Sequence, residues 1–305
     1  MGRYVAERLL QAIVVLIGIS TIAFFILRLT GDPVLLMVRP EATREQIAQL
    51  RHAFGFDRPL LVQYLDFLVH ALRGDLGISV RHQEPALGLV LERVPATAEL
   101  AVVSMGLALV IALPAGVLAA VRRRTWVGPM TTSLALLGQS VPAFWLGIVL
   151  IMIFSVRLEW LPSFGSGTPQ HLILPGITLS AFSLARLTRL VRAGMLEVLG
   201  QDYIRTARAK GLRESVVVIR HALRNALLPV VTLVGLDVGF LLGGAIIVET
   251  IFAWPGMGQL AFQAVQNRDF PLVQANVIFI STLFVCINLL VDLTYTMIDP
   301  RIRYR

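Results

Sequence analysis

From Leu100 to Val121 the chain reads LAVVSMGLALVIALPAGVLAAV, twenty-two residues without a charge. Wound as an α-helix at 1.5 Å per residue, such a run covers the roughly 30 Å hydrocarbon thickness of a bilayer. Runs of comparable length recur at Leu9–Leu29, Met130–Phe154, Leu174–Val191, Leu227–Ile251 and Ala275–Ile298. Of the 305 residues, 56% are hydrophobic and 15% charged, against about 25% charged in an ordinary soluble domain. The expected architecture is therefore an all-α integral membrane protein with about six transmembrane helices. Leu9–Leu29 follows Arg3 and Arg8 as a signal peptide would, but it is too long for a signal-peptide core and shows no small-residue cleavage site, so it reads as a retained span. Pro114 and Pro142 lie inside spans and are expected to kink them. Arg186 and Arg189 lie in the last turns of the fourth span, where they are expected to snorkel to the interface.

The basic residues lie between the apolar runs rather than interleaved with aromatics on a soluble face, so the net charge of +8 reads as topology and not as nucleic-acid binding. Seventeen fall on the side shared by both termini: Arg3, Arg8, Arg122–Arg124, nine between Arg186 and Arg224, and Arg301, Arg303 and Arg305. Nine lie opposite, seven of them between Thr30 and Ala96 beside eight acidic residues. Lys and Arg near span ends are retained on the cytoplasmic side, so both termini are expected there. The expected division is a terminus and first span at 1–29, an extracytoplasmic helical insertion at 30–96, a five-span core at 97–298 and a cytoplasmic tail at 299–305. In the insertion, Thr43 with Gln46 reads as a capping box. Ile47, Leu50 and Phe54 share one helix face, and Leu60, Tyr64, Phe67, Leu68 and Leu72 share another before Gly74 ends the second helix.

Between the fourth and fifth spans the chain becomes polar and basic: Glu197–Pro229 reads EVLGQDYIRTARAKGLRESVVVIRHALRNALLP. Within the segment 197–226, Asp202 can cap a short helix, Gly211 breaks it, and a second helix runs to Asn225, a cap for the next span. Pro229 then falls in that span's first turn, where a missing N–H costs little. Two short helices projecting from a membrane suit a groove on a cytoplasmic partner. By composition alone, Arg205, Arg208, Lys210 and Arg213 could equally hold a loop against anionic lipid.

Energy sources narrow the function. Gly, four residues, Gly-Lys-Ser/Thr is the phosphate-cradling pattern of an ATPase, and the chain's one lysine, Lys210, is followed by Gly211, so the pattern cannot be completed. No His-Glu-x-x-His helix and no Gly-x-Ser-x-Gly elbow is present either, so the chain is not expected to be an enzyme. The five histidines show no metal-ligand spacing, and the single Cys286 excludes an intrachain disulfide. Asp237, mid-span, costs roughly 2.5–3.5 kcal/mol to insert and must face protein or water. Gly235, Gly239 and Gly243 recur on the opposite face of the same helix for close packing. Asp237 is thus expected either to line a translocation pathway, with Gln139 and Ser140, or to bond a neighbouring helix.

DYIRTARAKGL followed by RHALRNALLP resembles the coupling loop of binding-protein-dependent ABC importer permeases of the dipeptide/oligopeptide/nickel type. LTGDP (29–33), FGFDRPL and GDLG (54–77), ERVPATAEL (92–100), SVPAFWLG (140–147), LLGGAIIVETIF (241–252), PGMG (255–258) and RDFPLVQ (268–274) extend the likeness along the whole chain. Arg205, Thr206 and Ala207 stand where the wider family has Glu-Ala-Ala, and the stretch to Pro229 is longer than in sugar permeases; both departures look like the peptide branch. The resemblance implies a type I importer permease fold. Contact with the ATPase is implied for Asp202, Arg205, Thr206, Ala207, Ala209, Lys210 and Gly211. It also implies a second homologous permease, two ATP-binding subunits that hold the ATP and magnesium, and an extracytoplasmic substrate-binding protein. No cofactor is implied in this chain. Peptides, glutathione-like peptides and chelated nickel all use permeases of this appearance, and a gradient-driven carrier or channel is the alternative reading.

Overall fold

In the computed structural model, residues 2–29, 43–53 and 55–298 are described, and among them the chain is helical, with one isolated antiparallel bridge between Ile78 and Pro85. The LTGDP motif beyond Leu29, Phe54 and the basic tail 299–305 lie outside the described residues. The helices are α1 (Gly2–Leu29), α2 (Arg44–Ala53), α3 (Leu60–Leu72), α4 (Ala86–Val121), α5 (Val127–Ser140), α6 (Ala143–Arg157), α7 (Ile173–Leu199), α8 (Asp202–Ala209), α9 (Glu214–Ala226), α10 (Leu228–Ile251), α11 (Met257–Gln266) and α12 (Phe270–Ile298). Four segments are long and apolar enough to cross a bilayer alone: Ala6–Ile26, Ala86–Val121, Pro169–Leu199 and Phe270–Asp292. Counting each of the bent pairs, α5–α6 and α9–α10, as contributing one span gives up to six.

The two prolines expected to kink their spans behave differently. α4 is a continuous helix through Pro114. At Pro142 the helix stops: Val141 is extended (φ −83°, ψ 125°), as the residue before proline prefers, and α5 and α6 meet at 100°. The far end of α6 widens into a π-helical turn at Ile151–Arg157, closed by Leu158 N–H on Ile153 O at 3.0 Å.

Contacts divide the chain into two compact units, Met1–Ala96 with Pro255–Leu289 and Thr97–Trp254 with Leu290–Arg305. In the first, the capping box forms: Thr43 N–H donates to Gln46 Oε1 at 3.0 Å and Gln46 N–H to Thr43 Oγ1 at 3.3 Å. The centre of the expected α3 face packs inward, with Phe67 and Leu68 half-buried and Phe67 against the unit's core, while the ends of that face do not. Gln63 and Tyr64 are buried, whereas Leu60 and Leu72 are exposed. Tyr64 anchors this face, its hydroxyl hydrogen-bonding Thr21 Oγ1 on α1 at 2.6 Å and its ring meeting Phe24 at 5.2 Å. Leu76, Leu89, Val90, Met257, Leu260 and Leu272 form this unit's core.

Asp269 locks that core. Its carboxylate, 1% exposed, caps α12 through Leu272 N–H (3.3 Å) and accepts from Ser79 Oγ (2.5 Å) and the N–H groups of Val80 and Arg81 (both 3.2 Å). The RDFPLVQ motif is thus a helix start, with Pro271 in the first turn where no N–H is needed.

In the second unit helices approach closely at glycines. A Cβ on Gly116 of α4 would lie 2.7 Å from Val191 Cβ of α7, and one on Gly235 of α10 would lie 2.5 Å from Val291 Cγ2 of α12. Glu249 near the end of α10, fully buried, accepts from Thr97 Oγ1 of α4 at 2.7 Å. ERVPATAEL and VETIF therefore meet through a hydrogen bond.

Replacing Asp269 by Ala removes a cap and three further bonds to a buried carboxylate, a loss of about 2–4 kcal/mol. Thermal unfolding of the purified protein in detergent is expected to shift down by about 5 °C, and the 79–84 loop to become protease-sensitive. An unchanged melting curve would show that the carboxylate anchors nothing.

Candidate coupling elbow and intramembrane ion pair

α7 ends at Leu199, and Gln201 (φ −74°, ψ 151°) turns the chain into α8. Ile204 and Ala207, three residues apart, are buried and fix the inner face of α8. Asp202, Arg205, Thr206 and Ala209 are left exposed on the outer face, followed by Lys210 and Gly211. Of the residues expected at the ATPase contact, all but Ala207 are therefore accessible. Asp202 is not the cap: Gln201 holds that position, and no side-chain cap bond is made. Asp202 instead puts negative charge in the first turn, where the helix dipole favours it, and lies 3.5 Å from Arg205.

Gly211 has φ +75°, the left-handed region, and reverses the chain toward α9. Two latches hold the resulting elbow shut. At its apex Arg208 grips Glu214 with a bidentate fork, Nε to Oε2 at 3.1 Å and Nη2 to Oε1 at 2.7 Å. The fork holds the Glu214 carboxyl below the usual glutamate range and raises Arg208 further. At the base, Asn225 Nδ2 donates to Tyr203 Oη at 2.7 Å. Asn225 was expected to cap the next span; it binds Tyr203 and His221 O instead, and Leu227 carries the chain helically into α10 with a bend of 53°. The middle of α9, Val217–Leu223, is π-helical and buries Val217, Val218 and Ala222. From the sequence Arg208 reads only as a possible lipid contact and Asn225 only as a cap, and Glu214 and Tyr203 are given no role. The visible signal was an Arg and a Glu flanking a glycine at a separation of six.

Inside the membrane-spanning region, Asp237 of α10 is 1% exposed and accepts from Arg186 Nη1 of α7 at 2.8 Å. Arg186 therefore does not snorkel away along the helix; it pairs. Its guanidinium also lies over the Phe182 ring at 5.5 Å, and Phe182 meets Phe240 at 5.7 Å. Ser183 Oγ lies beside the Asp237 carboxylate, though outside good hydrogen-bonding geometry to Oδ2. Gly235, two residues from Asp237, faces α12 rather than α7, the opposition expected of a packing face. Gln139 is half-buried and Ser140 exposed at the end of α5, beside the Pro142 break.

Family models for the binding-protein-dependent transport system inner membrane component match residues 112–304, and for its N-terminal part residues 1–101. The chain belongs to that family. It is 44% identical, over the full length of both chains, to the glutathione transport system permease protein GsiC of Escherichia coli (strain K12) and of Shigella dysenteriae serotype 1. Among solved structures, the inward-facing MetNI methionine ABC transporter matches 69% of this chain and 96% of that one, with a TM-score of 0.57 at 22% identity. An amino acid ABC transporter gives 0.50 at 18%. These two likenesses support the fold alone, that of ABC transporter permeases. The chain is thus an inner-membrane permease subunit of an ABC importer and not an enzyme; ATP hydrolysis resides in separate subunits, and a substrate-binding protein is a partner.

A Cβ on Gly211 would meet nothing within 4 Å, so substitution there is penalised only by the backbone. Gly211→Val should cost the elbow about 1–2 kcal/mol, whereas Gly211→Asn, which tolerates the left-handed region, should cost far less. Transport per ATP hydrolysed by the reconstituted importer is expected to fall severalfold for the valine variant and to stay near wild type for the asparagine variant. Equal behaviour of the two would show that the turn is not a constraint. The Arg208–Glu214 fork is charged throughout the neutral range. Because the Glu214 carboxyl titrates below its ordinary value, its contribution is present above the unfolded-state value near 4.3 and fades only as pH falls through the lower folded value. Coupling is therefore expected to be insensitive to Glu214 titration between about pH 6 and 8, while Glu214→Gln lowers it modestly at every pH in that range.

Proposed function

We propose that this chain is one of two homologous permeases forming the pathway for short peptides, glutathione-like tripeptides among them, in an importer powered by two ATP-binding subunits. The full-length 44% identity to a glutathione permease carries the substrate class. The elbow supports the coupling role: exposed Arg205, Thr206, Ala209 and Lys210 form a compact face held rigid by its two latches. In this reading the elbow and both termini face the cytoplasm, as the distribution of arginines favours. The ATP and magnesium belong to the ATPase subunits. Their closure moves α8 and α9, and the spans joined to them, α7 and α10, reorient from inward-open to outward-open. The outer helices between Thr43 and Leu72 contribute to docking or gating at the outer mouth, where the binding protein delivers its load. Asp237, Gln139 and Ser140 are assigned to the pathway.

The importer reconstituted in proteoliposomes with its binding protein is expected to accumulate labelled glutathione or a dipeptide only with ATP on the elbow side and binding protein on the other. Uptake driven by a proton or sodium gradient without ATP would overturn the reading.

A further inference from the structure

We infer that Arg186 is a specificity-determining cation for the free carboxylate of the transported peptide, and that Asp237 is the resident counter-ion the substrate carboxylate replaces. The inference rests on the peptide reading above and deepens it. Arg186 is the fourteenth of the 27 residues of α7, far from either end of the helix. Yet 32% of its side chain is exposed, against 1% for Asp237. A guanidinium in the last turns of a span, bonded to the mid-span Asp237, does not rest against hydrocarbon without cost, so in the assembly its exposed part faces water, a polar pathway or the second permease.

The pairing itself is incomplete. Arginine presents a planar fork that matches a carboxylate bidentately, and the chain achieves this at Arg208–Glu214. At Arg186–Asp237 the guanidinium makes only one of the two bonds, Nη1 to Oδ1, and leaves Oδ2, beside Ser183 Oγ, without a second arginine donor. A buried pair that served only to staple two helices would be expected to satisfy both oxygens, because a half-satisfied buried network is costly. Here the guanidinium keeps donors available on its exposed side while Phe182 and Phe240 wall the pair. An arriving carboxylate can take the open donors, and Asp237 keeps Arg186 oriented and neutralised when no substrate is present. Every unblocked linear peptide ends in a carboxylate, so a single fixed cation would serve peptides of varied side chains.

The test compares uptake of a peptide and of its C-terminal amide, chosen for measurable wild-type uptake, by the complete importer carrying wild-type, D237N or R186Q/D237N permease. The binding protein is the same throughout, so its own preference cancels in each variant-to-wild-type ratio. D237N keeps the cation and is expected to hold the acid-to-amide uptake ratio within about twofold of wild type, whatever its absolute rate. The doubly neutral variant, which leaves no buried charge unpaired, is expected to lose acid uptake by about tenfold or more while amide uptake changes less than about twofold, one charge-assisted bond being worth at least that factor. Equal losses for acid and amide in the double variant, or the same fall in the acid-to-amide ratio in D237N as in the double variant, would show a structural staple and overturn the inference while leaving the peptide reading intact. Unchanged acid uptake in the double variant overturns it likewise. Failure of the wild-type importer to accumulate any peptide would overturn both together.

Discussion

Hydrocarbon offers no hydrogen-bond partner to a peptide group or a charge, and the polar features of this permease answer to that constraint. Its backbone closes on itself as helices. Its buried carboxylates each take a donor from a distant part of the sequence: Asp237 from Arg186, Glu249 from Thr97, and Asp269 from Ser79 and the backbone beyond it. An apolar contact between two helices in lipid has little to distinguish it from a contact with lipid. A buried carboxylate is different, because it is destabilising until one particular donor arrives, and so it selects one packing among many. Glycines then set how close the selected helices come, as Gly116 does against Val191.

The elbow obeys a different physics because it lies in the polar segment between spans. Its two latches are partly exposed, and each alone contributes at most about 1 kcal/mol. Together, at the apex and at the base, they make α8 and α9 a single lever whose turn is set by the left-handed Gly211. The lever is continuous with α7 on one side and α10 on the other, and those two helices share the Arg186–Asp237 pair. Displacement of the elbow therefore bears on the intramembrane charge pair through two short helical paths. A conformational equilibrium at one end can be biased by ligand at the other without any further moving part.

The spans were legible because an apolar run of fixed length has few alternatives in a membrane, and the elbow was legible because a polar basic segment with a central glycine interrupts them. Side-chain partners were much less legible. Pro114 and Pro142 look alike in sequence, yet α4 continues through one and breaks at the other. On α3 the expected face packs at Tyr64, Phe67 and Leu68 but not at its ends, Leu60 and Leu72, and the Thr21–Tyr64 bond that anchors it spans 43 residues, a pairing helical periodicity cannot show. Asn225 was read as a local cap and proved to be a tether to Tyr203. Motifs such as ERVPATAEL, VETIF and RDFPLVQ carried the family likeness without revealing why; the structure shows Thr97, Glu249 and Asp269 within them making buried bonds.

The central claim is that force enters this chain through the exposed face of α8. Thr206 is exposed at the centre of that face, and Cys286 is the only thiol to be removed. The most direct measurement is site-directed crosslinking of Thr206→Cys, in a Cys286→Ser background, within the assembled importer without nucleotide and with ATP trapped. The account predicts a crosslink to an ATP-binding subunit in both states, with a changed reactive partner between them. An α8 face that crosslinks to no ATP-binding subunit in either state would contradict it.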